Sequence, residues 1–302
     1  MLEIVTRAGC FVFIIALGYI LRRVGMFQEK DFDVISTIVL KVTLPAAIIV
    51  SFNGSTIDFS MLFIILLGLG CGILYMLLAF LLGHRKPRDE LAFDVVNMPG
   101  YNIGNFTLPF VQSFLGPAGV VVTSLFDTGN AIVCLGGSYG VASLVQDGSG
   151  FSVKRIFRAL LHSIPFVTYL IMLALCLLHI SLPAPVMSLT QTIANASTFM
   201  AMLMIGVGFQ LKGDRDQLGR IVKYLVLRYA IAIPLALCFY FLLNFPLEVR
   251  QTLVIMVFAP FCTSAPAFTG EMKGNVGLSS ALNSISIIIS IVCITTLLTC
   301  ML

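Results

Sequence analysis

The sequence is poor in charge, and this scarcity excludes most soluble folds. Only 11% of its 302 residues are charged, whereas 59% are hydrophobic and the mean hydropathy is +1.03. A typical soluble domain is about half apolar and about a quarter charged. The charged residues are too few to give a chain of this length a polar surface, so lipid is the expected solvent around most of it. We therefore predict an all-α polytopic membrane protein.

Motifs for catalysis and metal binding are also missing. None of the eight cysteines forms a C-x-x-C pair or lies near a histidine at metal-ligand spacing, so we interpret them as small apolar residues. There is no G-x-S-x-G, H-E-x-x-H, P-loop or kinase signature. The missing P-loop excludes ATP hydrolysis by this chain as the energy source. The net charge of +4 arises mainly in loops and argues against a nucleic-acid partner. We predict neither an enzyme nor a metal site.

Long apolar runs are what the sequence has in abundance. A helix needs about 20 apolar residues to cross the hydrocarbon core, whereas no alternating strand pattern recurs. The first run lacks a small-residue cleavage site, so we expect a retained span and not a signal peptide. The ten predicted spans are 4–24, 33–52, 60–83, 91–114, 117–146, 156–179, 184–210, 219–243, 247–268 and 275–301.

The positive charges indicate how these spans are oriented. Of the 18 lysines and arginines, 14 lie in or beside the loops that follow odd-numbered spans. Basic loops stay on the cytoplasmic side of a membrane. We therefore place these loops in the cytoplasm and both termini outside it. The 14 residues are Arg22, Arg23, Lys30, Arg85, Lys86, Arg88, Lys154, Arg155, Arg158, Lys212, Arg215, Arg220, Lys223 and Lys273.

Ten spans suggest two halves of five: residues 1–146 and 156–302, joined by a short cytoplasmic linker at 147–155. Because five is odd, a duplicated unit would enter the membrane in opposite senses, which makes an inverted repeat. Polar and proline residues break the fourth span of each half, at 97–109 and 259–267. Interrupted helices at corresponding places in two halves are the best sequence indication of a transporter binding site.

The two interrupted spans carry the candidate substrate-binding residues. Proline removes a backbone donor and disturbs the preceding turn, and freed backbone groups are tolerated in a membrane only inside protein or beside a water-filled cavity. The exposed N-terminal end of the second half-helix favours an anionic group. A plain proline kink is the alternative for either span alone. The candidates are Asn102, Gly104, Asn105, Pro109, Thr263, Ser264, Ala265 and Pro266.

Four more polar residues are candidates for an ion or support site. Asp127 lies near mid-membrane, where an acid is a functional hypothesis by default. It is predicted to bind a cation or relay a proton, with a structural pair to Lys41 or Arg228 as the alternative. Lys41 is either a substrate counter-ion or a snorkelling residue, and snorkelling is favoured for Arg228. Asn130 is expected to support Asp127, and Asn283 either joins this site or bonds between helices.

Several short stretches resemble the auxin efflux carrier family. Residues 102–109 are similar to its N-x-G-x-x-G-x-P pattern. The sequence departs from the family at Thr107, where glycine is frequent, and at Phe199, where many members have proline. The short loop between the halves resembles bacterial members. The other similar stretches are 43–46, 127–130, 201–206 and 259–266.

This resemblance carries expectations about fold and activity. It implies ten transmembrane helices as two inverted five-helix repeats, with the fourth and ninth helices crossing as broken helices at the substrate site. It also implies elevator-like movement of a domain that contains this crossing. The implied substrates are carboxylates, such as malate or malonate in some bacterial members and indole-acetic acid in plant members.

We therefore predict a secondary transporter, a permease or efflux carrier, for a small organic anion in a bacterial plasma membrane. One alternative is a sodium- or proton-coupled symporter of a neutral or bile-acid-like solute. An alternative of another class is a membrane-embedded ligand sensor. We expect no cofactor, and coupling to Na+ or H+ stays open. The expected partners are the anion and the lipid bilayer, with the chain as a monomer or a homodimer.

Overall fold

The computed structural model describes residues 2–28, 30–148, 151–209 and 217–301. The regular structure of these residues is helical and contains no β-strand, only an isolated antiparallel bridge between Tyr101 and Phe261. The α-helices are α1 (Leu2–Arg23), α2 (Asp31–Ile38), α3 (Leu44–Phe52), α4 (Phe63–Gly83), α5 (Arg88–Asn97), α6 (Leu108–Phe114), α7 (Gly116–Ile132), α8 (Ser138–Asp147), α9 (Val153–His162), α10 (Ile164–Leu177), α11 (Ala184–Ala194), α12 (Ser197–Gly208), α13 (Leu218–Phe241), α14 (Leu247–Val257), α15 (Ala265–Glu271) and α16 (Val276–Met301).

Short 3-10 and π-helical turns extend several of these helices. A 3-10 turn at Phe59–Leu62 leads into α4. Three π-helical turns, each of five residues, also occur. The first joins α2 to α3, the second leads into α6, and the third joins α7 to α8. They are Val39–Thr43, Ile103–Thr107 and Val133–Gly137.

Among the described residues, six continuous helices are long and apolar enough to cross a membrane, which confirms the expected helical membrane architecture. They correspond to the first, second, third, fifth, eighth and tenth predicted spans. Buried positions make up 78% of the most apolar window in Gly116–Asp147 but only 17% of that in Ile4–Arg23, so α7 and α8 are central and α1 is peripheral. The six are Ile4–Arg23, Asp31–Phe52, Phe59–Gly83, Gly116–Asp147, Leu218–Phe241 and Val276–Met301.

The other predicted spans are interrupted. The predicted fourth and ninth spans break after Asn97 and after Val257, as their proline and polar residues indicated. The predicted seventh span breaks at Asn195, between α11 and α12, which the sequence did not predict. The pieces are each too short to cross a membrane alone, so the count of ten spans and the inverted repeat stay predictions.

The predicted sixth span, 156–179, is not one straight helix. Its first part belongs to α9, which meets α10 at an angle of 79°. The bend falls at Ser163, whose extended backbone precedes a helix with proline in its first turn. α9 exposes Phe157 and Leu161 and also carries Arg155 and Arg158. Such an amphipathic helix suits the membrane–water boundary. If both helices form one broken span, the membrane-crossing helices number seven.

Two parts of the orientation prediction lie outside the described residues. Ser149 and Gly150 belong to the predicted linker, and Lys212 and Arg215 belong to a predicted basic loop. The described ends of the linker are helical, since α8 extends to Asp147 and α9 begins at Val153.

Two glycines allow α4 and α7 to touch through their backbones. A Cβ on Gly68 would overlap the carbonyl group of Phe126, and a Cβ on Gly129 would overlap the carbonyl group of Ile65. Small residues at such contacts let membrane helices approach closely and gain packing energy that lipid does not supply. Gly68 and Gly129 therefore serve close helix packing.

This contact gives a test of the packing. Gly68→Val should lower the melting temperature in detergent because the backbones must separate, and overpacking typically costs about 1–3 kcal/mol. Gly70→Val on the same helix is the matched control, since nothing lies within 4 Å of its Cβ position. Equal melting temperatures for the two variants would show that the α4–α7 contact does not limit stability.

Candidate functional site

Two interrupted helices meet at their breaks. The chain leaves α5 after Asn97 and leaves α14 after Val257, and the two extended segments pair as antiparallel backbone. The Asn102 N–H donates to the carbonyl oxygen of Pro260 at 3.0 Å. Pro99 and Pro260 lie within these segments and cannot continue a helical ladder. The paired segments, residues 98–102 and 258–264, are called the crossing below.

Side chains from neighbouring helices complete the hydrogen bonding of the crossing. Asn130 Oδ1 accepts from the Tyr101 N–H, and Asn130 Nδ2 donates to the Tyr101 carbonyl, both at 2.9 Å. On the other segment, Asn283 Nδ2 donates to the Phe261 carbonyl at 3.0 Å, and Ser286 Oγ accepts from the Phe261 N–H at 3.1 Å. Each central residue of the crossing therefore has both backbone groups satisfied by side chains, as a lipid surrounding requires.

Arg228 of α13 binds the carbonyl ends of both interrupted helices. Its guanidinium donates to the carbonyl oxygens of Met98 at 2.9 Å, Ala259 at 3.1 Å and Pro260 at 3.3 Å. The last carbonyls of a helix lack partners and carry partial negative charge, so a cation is favoured there. Arg228 is 1% exposed, so the expected snorkelling is wrong. The guanidinium gains more from these carbonyls than it would from reaching the membrane surface.

Aromatic rings enclose the same guanidinium. Its carbon lies 4.3 Å from the ring centre of Tyr101, 4.8 Å from that of Phe261 and 4.9 Å from that of Tyr75. Ring faces attract a cation, and the attraction grows when water is excluded. Tyr75 also donates its hydroxyl hydrogen to the Arg228 carbonyl at 2.9 Å. Within the described part of the chain, carbonyls and rings surround this charge and no ion pair reaches it.

A second tie joins the interrupted helices away from the crossing. Asn97, at the end of α5, donates to Thr269 of α15 at 3.0 Å and accepts from Ser279 of α16. Nearby, the buried Asp94 accepts from Lys86 at 2.5 Å and from the Tyr224 hydroxyl. These partners give Asp94 a structural role, because both of its carboxylate oxygens are satisfied within the protein.

Removal of the Arg228 charge tests its role at the crossing. Arg228→Met replaces the guanidinium by an apolar side chain and removes the donor of the Met98 and Ala259 carbonyls, at about 1–3 kcal/mol for each buried group. We expect the melting temperature to fall by roughly 5–10 °C. Arg220→Met, at an exposed position of the same helix, is the control and should change it little. A similar melting temperature for wild type and Arg228→Met would contradict this role.

A cavity of about 500 Å³ adjoins the crossing. This volume is typical of sites for small ligands, which span about 300–1,000 Å³. The cavity wall brings together eight of the twelve sequence-predicted site residues, from both interrupted helices and from α7 and the turn between α2 and α3. These are Lys41, Asn102, Gly104, Asn105, Asp127, Asn130, Thr263 and Ser264.

The other four predicted residues lie elsewhere. Pro109 and Ala265 are buried in the first turns of α6 and α15 and do not line this cavity. Pro266 and Asn283 line a second cavity of about 330 Å³, which also includes Arg22. Phe32 and Thr263 line both cavities, so the two cavities adjoin each other.

Asn102 lines the larger cavity and holds a buried amide donor without a partner among the described residues. The residue is 3% exposed, and its Nδ2 has no hydrogen-bond partner within the described structure. An unsatisfied buried donor costs about 1–3 kcal/mol, which an acceptor on a ligand would recover. The neighbouring Asn105 donates from Nδ2 to Thr263 Oγ1 at 3.2 Å and leaves its own Oδ1 unpaired. The cavity therefore offers hydrogen-bonding capacity that the protein itself does not use.

Asp127 accepts hydrogen bonds from two neutral groups in the same cavity. Its Oδ1 accepts from Asn130 Nδ2 at 2.8 Å, and its Oδ2 accepts from the Tyr169 hydroxyl at 3.1 Å. In the described residues no ion pair joins Asp127 to Lys41 or Arg228, so the predicted structural pair is not found. Tyr169 of α10 was not among the predicted site residues, because nothing in its local sequence distinguishes it from other tyrosines.

Comparison with known proteins gives one family match. Residues 8–146, slightly less than half of the chain, match the model of a family described as membrane transport protein. The matched region includes the first interrupted helix and Asp127, and the match agrees with the family resemblance of the motifs. A comparison with curated proteins gives no match.

Proposed function

Because residues 8–146 match the model of a membrane transport protein family, we propose that this chain is a secondary transporter that carries a small organic anion, with a carboxylate as the recognised group. The unpaired Asn102 Nδ2 in the cavity at the crossing is the observation that carries this proposal. An amide N–H donor recognises an acceptor oxygen, and Lys41 on the same cavity wall supplies a positive charge. An acceptor with negative charge satisfies both groups.

The carboxylate of Asp127 indicates coupling to a cation. It shares the cavity with the proposed substrate, and two negative charges in a site of low dielectric repel each other. A proton on Asp127, or a sodium ion beside it, would remove this repulsion. We therefore favour co-transport of a cation with the anion. The same feature supports the second candidate, a cation-coupled symporter of a neutral solute, in which Lys41 has no role in recognition.

The crossing supports an elevator-like mechanism built on inverted repeats. Equivalent side-chain bonds satisfy Tyr101 in the first half and Phe261 in the second, as a duplicated unit would provide. Arg228 and the Asn97 ties join the two segments into one body. In the proposed movement this body shifts relative to the part of the cavity wall that carries Lys41. The cavity also includes Phe32 and His162, which lie beside the predicted cytoplasmic loops, so we propose an inward-open state.

Uptake into liposomes tests the function directly. Purified protein is reconstituted, and uptake of radiolabelled malate is measured with malonate, indole-acetate and other carboxylates as competitors. We expect saturable uptake, a ranked competition among carboxylates, and stimulation by an imposed proton or sodium gradient. Folded protein that shows neither uptake nor counterflow under any imposed gradient would contradict the proposal, and gradient-driven uptake of neutral solutes alone would favour the second candidate.

The role of Asn102 is tested by substitution. Asn102→Ala should raise the KM for the carboxylate by about tenfold or more, because one hydrogen bond to a charged acceptor is lost. The variant should stay folded, since the amide donor that it removes has no partner in the protein. Gln112→Ala is the matched control, because Gln112 also holds a buried unpaired amide atom but does not line the cavity. Equal KM values for both variants would place recognition elsewhere.

A further inference from the structure

Two cysteines from different parts of the chain meet at the crossing. Cys134 lies in the π-helical turn between α7 and α8, and Cys262 lies in the second segment of the crossing. Both line the cavity beside Asn102, and their exposed fractions are 7% and 8%. They therefore form a dithiol that a small reagent can reach through the cavity.

Gly100 makes this approach sterically feasible. Its backbone has a φ of +83°, and a Cβ there would lie 2.7 Å from Cys134 Sγ and 3.9 Å from Cys262 Sγ. The two sulfur atoms therefore cannot be further apart than the sum of these distances. Any larger residue at this position would place its side chain against both thiols.

A polar bridge holds the backbones that carry the thiols. Ser264 Oγ donates to the Cys134 carbonyl at 2.7 Å and lies 3.1 Å from Cys262 Sγ. The Cys134 thiol in turn donates to Asn130 Oδ1 at 3.3 Å. The dithiol is thus connected to the same asparagine that satisfies the crossing. None of the other six cysteines lines this cavity, although all of them are free.

We propose that Cys134 and Cys262 form a reversible oxidation site, at which a peroxide converts the two thiols into a disulfide. One sulfur attacks a peroxide oxygen and becomes a sulfenic acid, with release of water or an alcohol. The second sulfur then attacks the sulfenic sulfur and displaces hydroxide, which takes the remaining thiol proton as water. The two thiols lose two electrons and two protons in total, and the peroxide gains them.

The disulfide would bond the turn after α7 to the second segment of the crossing. The disulfide would then hold Asn130 and Ser264, which both line the cavity, at a fixed separation. If the chain is the transporter proposed above, this bond makes the cavity wall rigid beside the proposed binding residues and thereby arrests transport. A thiol reductant would reverse the arrest. The covalent step itself does not depend on the proposed function.

Cysteine counting by mass spectrometry tests the covalent step without a transport assay. Folded protein is treated with hydrogen peroxide, unfolded, and alkylated with N-ethylmaleimide. We expect two fewer alkylated cysteines than in untreated protein, a peptide linked through Cys134 and Cys262, and full recovery after reduction. An absent link, or oxidation that stops at separate sulfinic acids, would overturn the proposal.

Single substitutions assign the link. Cys134→Ser and Cys262→Ser should each abolish the loss of two alkylated cysteines. Cys176→Ser is the control with matched burial, at 8% exposed, and should keep the link. A link that persists in Cys134→Ser would contradict the assignment. In liposomes, peroxide should suppress uptake by wild type and by Cys176→Ser, and not by Cys134→Ser; peroxide-insensitive wild type with a proven disulfide would overturn the proposed arrest.

Discussion

A helix that is broken inside a membrane exposes backbone carbonyls that lipid cannot solvate. The guanidinium of Arg228 donates hydrogen bonds to such carbonyls of two interrupted helices at once. It binds Met98 at the end of the first interrupted helix and Ala259 and Pro260 at the end of the second. The side chains of Asn130, Asn283 and Ser286 satisfy the residues between. With these partners, irregular backbone can persist at membrane depth, which unsatisfied polar groups would prevent.

The hydrogen bonding of the crossing has a functional consequence. With the backbone of the crossing satisfied by protein, Asn102 beside it lines a cavity and keeps a buried amide donor without a partner in the described part of the chain. A buried donor without a partner lowers stability, so its retention is more readily explained by a ligand than by folding. Asp127 provides the complementary feature, because its carboxylate is held by the neutral groups of Asn130 and Tyr169 and has no cationic partner among the described residues. In the proposed function, recognition of an anion and attraction of a cation would therefore occur within one cavity.

The sequence predicted those features that depend on local chemistry. Apolar runs predicted the six continuous helices, and proline with polar neighbours predicted the breaks after Asn97 and Val257, because both signals act within a few residues. Features that depend on packing were either not predicted or predicted wrongly. Arg228 was expected to snorkel, since a sequence does not show that two carbonyl ends lie within its reach. The 79° bend before α10 and the break at Asn195 depend on neighbouring elements in the same way.

An experimental structure with a transported carboxylate bound would test the central claim most directly. We expect the carboxylate in the cavity that adjoins the crossing, with one of its oxygens about 2.7–3.2 Å from Asn102 Nδ2. Arg228 should still be bound to the helix-end carbonyls. A ligand in the smaller cavity beside Arg22 and Asn283, with Asn102 Nδ2 still unpaired, would contradict it.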